Sequence, residues 1–185
     1  MTRTLHTLLA DLGQPGHRAV AEHWIALYRR KGGIPPLSAI DPLQFPRALA
    51  DAWIVDAEDG DRFRIRLMGE TLVHWYGRNP KGLYYEDLFA PAILPVVTQQ
   101  SRQVVQAPCI LYHQMQSTIP DWTVPASFER LAFPLCDAAG RIRHILGATV
   151  FSENTNFGRG GVATRIGSEY RYEIDPVALT ASAAG

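Results

Sequence analysis

The chain opens with leucines at positions 5, 8, 9 and 12, the i, i+3, i+4, i+7 spacing of one helical face. Gly13 and Pro15-Gly16 end that pattern. A second helix is predicted from His17 to Lys31, with Val20, Trp24, Leu27 and Tyr28 as its apolar stripe. Arg29, Arg30 and Lys31 suit the negative end of its dipole, and Gly32-Gly33 stop it. Ile34-Pro35-Pro36 reads as a stiff extended linker. Asp41 before Pro42 predicts an N-cap with proline at the first helical position, in a helix of about one turn that Pro46 ends.

Ala48 to Ala57 reads as a strand centred on Trp53, Ile54 and Val55, followed by a hairpin turn at Glu58-Asp59-Gly60-Asp61. The next strand alternates strictly. Phe63, Ile65 and Leu67 fall on one side, and Arg62, Arg64 and Arg66 on the other. Gly69 breaks it. Thr71 is placed to cap a short helix carrying Leu72, Val73, Trp75 and Tyr76, and Gly77 fits its left-handed C-terminal end. Asn79-Pro80 and Gly82 make a turn, and Glu86-Asp87-Leu88-Phe89 starts another helical turn.

A longer helix is predicted from near Pro91 to Gln106, with a distortion at Pro95. Its apolar side is Ile93, Val96, Val97, Val104 and Val105. Between Cys109 and Ser117 alternation returns: Cys109, Leu111, His113 and Met115 share one face, and Ile110, Tyr112, Gln114 and Gln116 the other. A loop from Ser117 to Pro125 carries Trp122. The strand from Phe128 to Cys136 sets Leu131, Phe133 and Leu135 against Arg130, Ala132 and Pro134. Pro134 removes a ladder donor, which predicts an edge position or a bulge. After a turn at Asp137 to Gly140, Arg141 to Phe151 forms the last core strand. Beyond a polar, glycine-rich stretch at 154–161, Tyr170, Tyr172 and Ile174 alternate as a candidate extra strand, and 178–185 should be loose.

The expected fold is therefore α+β: a five-stranded antiparallel sheet with helices on one face, plus N-terminal flanking helices. The expected boundaries are 1–33 for the flanking helices, 34–151 for the core domain and 152–185 for a C-terminal extension. The space between sheet and helices is the natural pocket.

Composition narrows the functional classes. The 185 residues carry 18 basic and 18 acidic side chains, a balance that argues against a nucleic-acid binder. No apolar run approaches the roughly 20 residues of a membrane span. The amphipathic N-terminus does not resemble a signal peptide, so a cytoplasmic location is expected. Two cysteines, Cys109 and Cys136, suggest neither a disulfide framework nor a zinc site. Strand parity sets them on opposite faces if His113 shares a face with Leu131, Phe133 and Leu135. No nucleophile elbow, phosphate loop or metal-spaced cluster is present: "GRGG" at 158–161 lacks the lysine and helix of a phosphate loop, and the acids near Asp59 lack calcium-loop spacing. No catalytic or metal-binding residue is assigned, and the sequence points to no particular cofactor.

His113 is the most pointed polar residue, since it shares its face with Cys109, Leu111 and Met115. It reads either as a buried histidine satisfied by a hydrogen bond or as a polar anchor in a ligand pocket. It and Tyr112 cannot both point inward from a regular strand. Trp75, Tyr76, Tyr84 and Tyr85 read as aromatic core or as the wall of a site for a flat ligand. Arg62, Arg64 and Arg66 read as a solvated face balanced by Glu58 and Asp59, or as an anionic-partner surface.

The segments RFRIRLMGETL, WYGRNPKGLYYEDLF and ERLAFPLCDAAGRIRHILGATVF, in that order, resemble a PAS domain over roughly Arg18 to Phe151. More narrowly, the chain resembles a bacterial PAS-like group of short proteins in which one such domain makes up most of the chain. The resemblance implies a sensory or regulatory protein that binds a small molecule between sheet and helices. Its implied site comprises Phe63, Ile65, Trp75, Tyr76, Leu111, His113, Met115 and Phe133. It also implies signalling through a homodimer or through a separate output protein; the N-terminal helices read either as a cover for the domain's own sheet or as the element that builds the homodimer, as helices flanking PAS domains often do. Flavin-binding photosensory relatives carry Gly-x-Asn-Cys; here Gly77-Arg78-Asn79-Pro80 puts proline at the cysteine, which excludes adduct chemistry there. Two other readings stand beside this one: a protein-interaction module with a filled core and no ligand, and an enzyme on a similar fold using His113 as base.

Overall fold

The structure, a computed structural model, describes residues 1–59, 61–118, 126–151 and 163–174. Its strands are β1 (Thr2–Thr4), β2 (Ala52–Glu58), β3 (Arg62–Met68), β4 (Cys109–Thr118), β5 (Ala126–Cys136), β6 (Ile142–Phe151) and β7 (Ala163–Glu173). Its α-helices are α1 (Leu8–Asp11), α2 (Pro15–Lys31), α3 (Glu70–Tyr76), α4 (Tyr85–Leu88) and α5 (Leu94–Gln106).

All the strands join one sheet in the order β1-β7-β4-β5-β6-β2-β3. The mixed α+β class is as expected, but among the described residues the sheet has seven strands rather than five. β7 is the candidate extra strand, and it pairs antiparallel with β4 from Cys109↔Glu173 to Thr118↔Ala163. β1 is an addition that the leucine spacing concealed. It pairs parallel with β7 through Thr2↔Arg171 and Thr4↔Glu173, and the helical pattern shrinks to a 3-10 turn and one turn of α1. The long loop after β4 and the glycine-rich stretch before β7 lie outside the described residues.

Two cores flank the sheet. On one side, Val20, Ala21, Trp24, Ile25 and Tyr28 of α2 pack on Ile110, Tyr112, Leu131, Phe133, Leu135 and Leu146. Trp24 stacks on Phe133 at 5.4 Å and on Tyr28 at 5.1 Å, and its indole N–H donates to Pro134 O at 3.0 Å. The apolar stripe of α2 is thus spent on its own sheet. On the other side, α3, α4 and α5 cover Trp53, Val55, Phe63, Ile65, Leu111, Ala132 and Ile145.

Local departures from expectation have simple causes. Pro134 sits in a central strand, yet β4–β5 pairing begins only at Leu111↔Ala132, so no β4 acceptor awaits its missing N–H. Pro95 produces no distortion because α5 starts at Leu94, which puts the proline in the first turn. Thr71 does not cap α3; Gly69 is the N-cap, and the Thr71 hydroxyl donates to Asp51 Oδ1 at 2.7 Å. Gly77 caps α3 at φ 66° as expected. The arginines of β3 are paired: Arg62 with Glu86, Arg64 with Glu58 and Asp56, Arg66 with Asp56. Cys109 and Cys136 are free and buried, and burial pushes the Cys109 thiol up to about 11.

Beneath α2 lies a polar cluster. His17 is fully buried, with Nε2 3.2 Å from Ala148 O and Nδ1 3.7 Å from Glu129 Oε2. The Tyr112 hydroxyl donates to that same Glu129 oxygen at 2.7 Å. His17 first, then Tyr112, holds the Glu129 carboxyl below its ordinary 4.5 against the opposing effect of burial. A carboxylate with a depressed native pKa adds stability above its unfolded value, and that stability is lost as pH falls through the native value. Glu129→Gln is therefore expected to flatten the fall in Tm between about pH 5 and pH 3. An unchanged acid limb in a melting series would remove Glu129 from the account.

Candidate ligand-binding site

Between the sheet and α3–α5 lies a cavity of about 100 Å³. Strict alternation on β2, β3 and β5 sends Trp53, Val55, Ile65, Phe128 and Arg130 to its floor. α3 contributes Leu72, Trp75 and Tyr76; Tyr85 and Phe89 come from the α4 region; Ile93 and Val97 from the start of α5. Met115, Thr149 and Phe151 close it from β4 and β6. The wall is mostly apolar, and seven of its described residues are aromatic. Trp75 and Phe151 meet at 4.7 Å, Phe128 and Phe151 at 5.3 Å, and Tyr85 and Phe89 edge-to-face at 5.1 Å.

Trp53 and Arg130 each border both this cavity and a second space of about 10 Å³. The Trp53 indole N–H donates to Thr149 Oγ1 at 3.0 Å, and the Arg130 guanidinium lies 4.5 Å from the ring centroid. No carboxylate pairs with Arg130 among the described residues; its neighbour Glu129 faces α2. Gln100, Ser101, Leu111 and His113 line the smaller space. Gln100 is 5% exposed and His113 2%. Both polar atoms of the Gln100 amide, and Nδ1 of His113, lack a hydrogen-bond partner among the described residues. The other His113 nitrogen, Nε2, is 3.0 Å from Glu169 Oε2 on β7, and this contact is the largest cause holding the Glu169 carboxyl below its ordinary value. With the proton on Nε2, Nδ1 accepts when the ring is neutral and donates when it is protonated.

Two other polar groups border the site. The Tyr85 hydroxyl shares a hydrogen bond with Ser101 Oγ at 2.9 Å. Burial pushes the Tyr76 phenol up to about 12, opposed by Arg130, so it is a neutral donor at physiological pH.

The structure brings Ile65, Trp75, Tyr76 and Met115 together on the larger cavity, and places Leu111 and His113 on the smaller one. Phe63 borders neither; it stacks on Tyr85 at 5.3 Å, behind the wall. Phe133 lies on the opposite face of the sheet against Trp24. His113 therefore does not share a face with Leu131, Phe133 and Leu135: its cross-strand partner is Arg130. Sequence reasoning missed Arg130, Gln100, Trp53, Phe89, Phe128 and Phe151. Two signals were available. Arg130 interrupts a row of a strand whose neighbours are apolar, and Gln100 stands on the α5 stripe between Val97 and Val104.

A twisted sheet with short helices between its second and third core strands, enclosing a small aromatic-walled cavity, defines the sensory-domain class of α+β proteins. A family model described as PAS domain matches residues 13–150, and the chain belongs to that family. No curated protein matches the chain. Among solved structures, the PAS domain of Bordetella pertussis BvgS aligns with a TM-score of 0.45 and 18% identity, over 62% of this chain and 89% of that one. The blue-light photoreceptor Aureochrome1 LOV domain aligns at 0.41 and 16%, over 58% and 85%. The Vibrio cholerae VqmA dimer aligns at 0.45 and 14% over 60% of this chain, spanning about half of VqmA, 52%.

Proposed function

We propose that this PAS domain is a sensor that binds a small molecule in the cavity between its sheet and α3–α5. In this reading it signals through a second copy of itself or a separate output protein, from the cytoplasm and without catalysing a reaction. The observation that carries the reading is the cavity itself: about 100 Å³, aromatic-walled, with a few polar groups at one end. Ligand sites combine apolar walls with a small number of orienting polar groups. An apolar cavity of about 150 Å³ admits benzene, so a space of about 100 Å³ limits a ligand to no more than about one ring. An interaction module with a filled core would have no use for such a space or for unpartnered buried atoms on Gln100 and His113.

Binding would act by population shift, favouring one packing of α3–α5 over another. The His113–Glu169 hydrogen bond ties the smaller space to β7, which carries β1 at the sheet edge. Any homodimer would rest on surfaces other than the buried stripe of α2, and that burial weakens the expectation of an interface built by the N-terminal helices. No described helix is long and apolar enough to cross a membrane.

Native mass spectrometry beside the denatured mass tests the reading. The expected result is an excess mass that disappears on denaturation. The same spectrum reports the oligomeric state. A native mass equal to the chain alone, with no thermal shift from any small ring compound, would count for the interaction module.

A further inference from the structure

Building on the ligand-binding reading, we infer that the cavity takes a small planar organic carboxylate, with the ring against the aromatic wall and the anionic end at Arg130. Three observations converge on the charge. First, the Arg130 guanidinium borders both spaces and has only the Trp53 face as partner among the described residues. Arg130 is half-buried, and its planar fork matches a carboxylate in two parallel hydrogen bonds. The indole ring beneath it holds that fork in place but satisfies none of its N–H groups.

Second, Tyr76 borders the same cavity and feels the Arg130 charge. Its phenol stays protonated, so it offers an O–H to an anion and no competing negative charge. Among the described residues no carboxylate lines either space: Glu129 lies beneath α2, and Asp56 and Glu58 pair with the β3 arginines.

Third, behind Trp53 the Gln100 amide and His113 Nδ1 face a space large enough for one water or one oxygen atom. These groups line the same space as Arg130, beside an otherwise apolar chamber. They would complete the shell of an oxygen that the guanidinium holds. The size of the larger cavity limits the body to a single ring, and its aromatic wall favours a flat one.

Titration calorimetry of the full chain with benzoate, benzamide and acetate tests this. Benzoate and benzamide share the ring and differ in charge; acetate has the charge without the ring. Benzoate is expected to bind at least about tenfold more tightly than either, because a charge-assisted pair is roughly twice as strong as a neutral hydrogen bond. Arg130→Gln should bring benzoate down to the level of benzamide, abolishing the preference for the charged ring. Tyr76→Phe, which keeps the ring and the packing, should weaken benzoate about fivefold and serves if the arginine variant fails to fold. Benzamide binding as well as benzoate would overturn the inference and leave the ligand-binding reading standing. A benzoate preference that survives in both variants would also overturn it, because the charge would then be read elsewhere. Failure of all three probes would overturn it too, and the native mass would then decide the broader reading separately.

Discussion

Deleting residues 1–33 is expected to unfold the domain rather than release a folded monomer. The segment buries Leu5, Leu8, Leu12, Val20, Trp24, Ile25, Leu27 and Tyr28, each at most 6% exposed. A large apolar side chain contributes about 1.5–3 kcal/mol when fully buried, and a whole domain is stable by only about 5–15 kcal/mol. The loss therefore exceeds the margin. The deletion would also bare Ile110, Leu131, Phe133 and Leu135 on the central strands, a contiguous apolar face prone to association. Circular dichroism and sedimentation of the truncated chain provide the check. A soluble, cooperatively melting product would mean that α2 is an appendage, and would restore it as a dimer element. Trp24→Ala is the milder form of the same experiment and should cost about 3–5 kcal/mol.

Gly147→Ala should destabilise the protein nearly as much as a core deletion, although it adds a single methyl group. Gly147 pairs with Trp53 across β2 and β6, and the indole lies flat over it. A Cβ at this position would enter the van der Waals envelope of three Trp53 ring carbons. The ring cannot step aside cheaply, because its N–H is bonded to Thr149 and its face carries Arg130. Overpacking of this kind costs about 3 kcal/mol, or roughly 6–12 °C in Tm for a chain of this size. In a Trp53→Leu background the same alanine should cost less than about 1 kcal/mol, because the two residues are directly coupled. Equal costs in both backgrounds would show that the clash is not with Trp53. Since Trp53 borders both spaces and carries Arg130 on its face, the alanine variant should also lose the benzoate preference.

The candidate site was half legible for an identifiable reason. Period-two alternation shows which residues share a face, and it grouped His113 with Leu111 and Met115. It does not say which face meets which layer. On β5, the fully apolar row of Leu131, Phe133 and Leu135 looked like the pocket wall. In the fold that row meets α2, and the mixed row of Phe128, Arg130 and Ala132 meets the cavity. The more uniform face went to the tightly packed side, because a recognition cavity keeps a polar group and a solid core does not. Gln100 was overlooked for the same reason, since a polar residue on an apolar helical stripe reads as a blemish until its surroundings are known.

The sequence by itself determined the core elements from β2 to β6, their order and the family. Periodicity, proline and glycine act within a few residues, and the signals of β2–β3, α3 and β4–β6 are of that local kind. Of the two acids that the sequence set against the β3 arginines, Glu58 pairs with Arg64, whereas Asp59 pairs with Arg143. Only the tertiary structure decided that α2 covers the sheet, that β7 and β1 widen it to seven strands, and that Arg130, Gln100 and His113 converge around Trp53. Those outcomes depend on which layer packs on which face and on pairings between distant segments, such as β1 with β7. Burial of apolar surface is non-directional, so a pattern of apolar residues specifies that a face must be covered and leaves its cover to the rest of the chain.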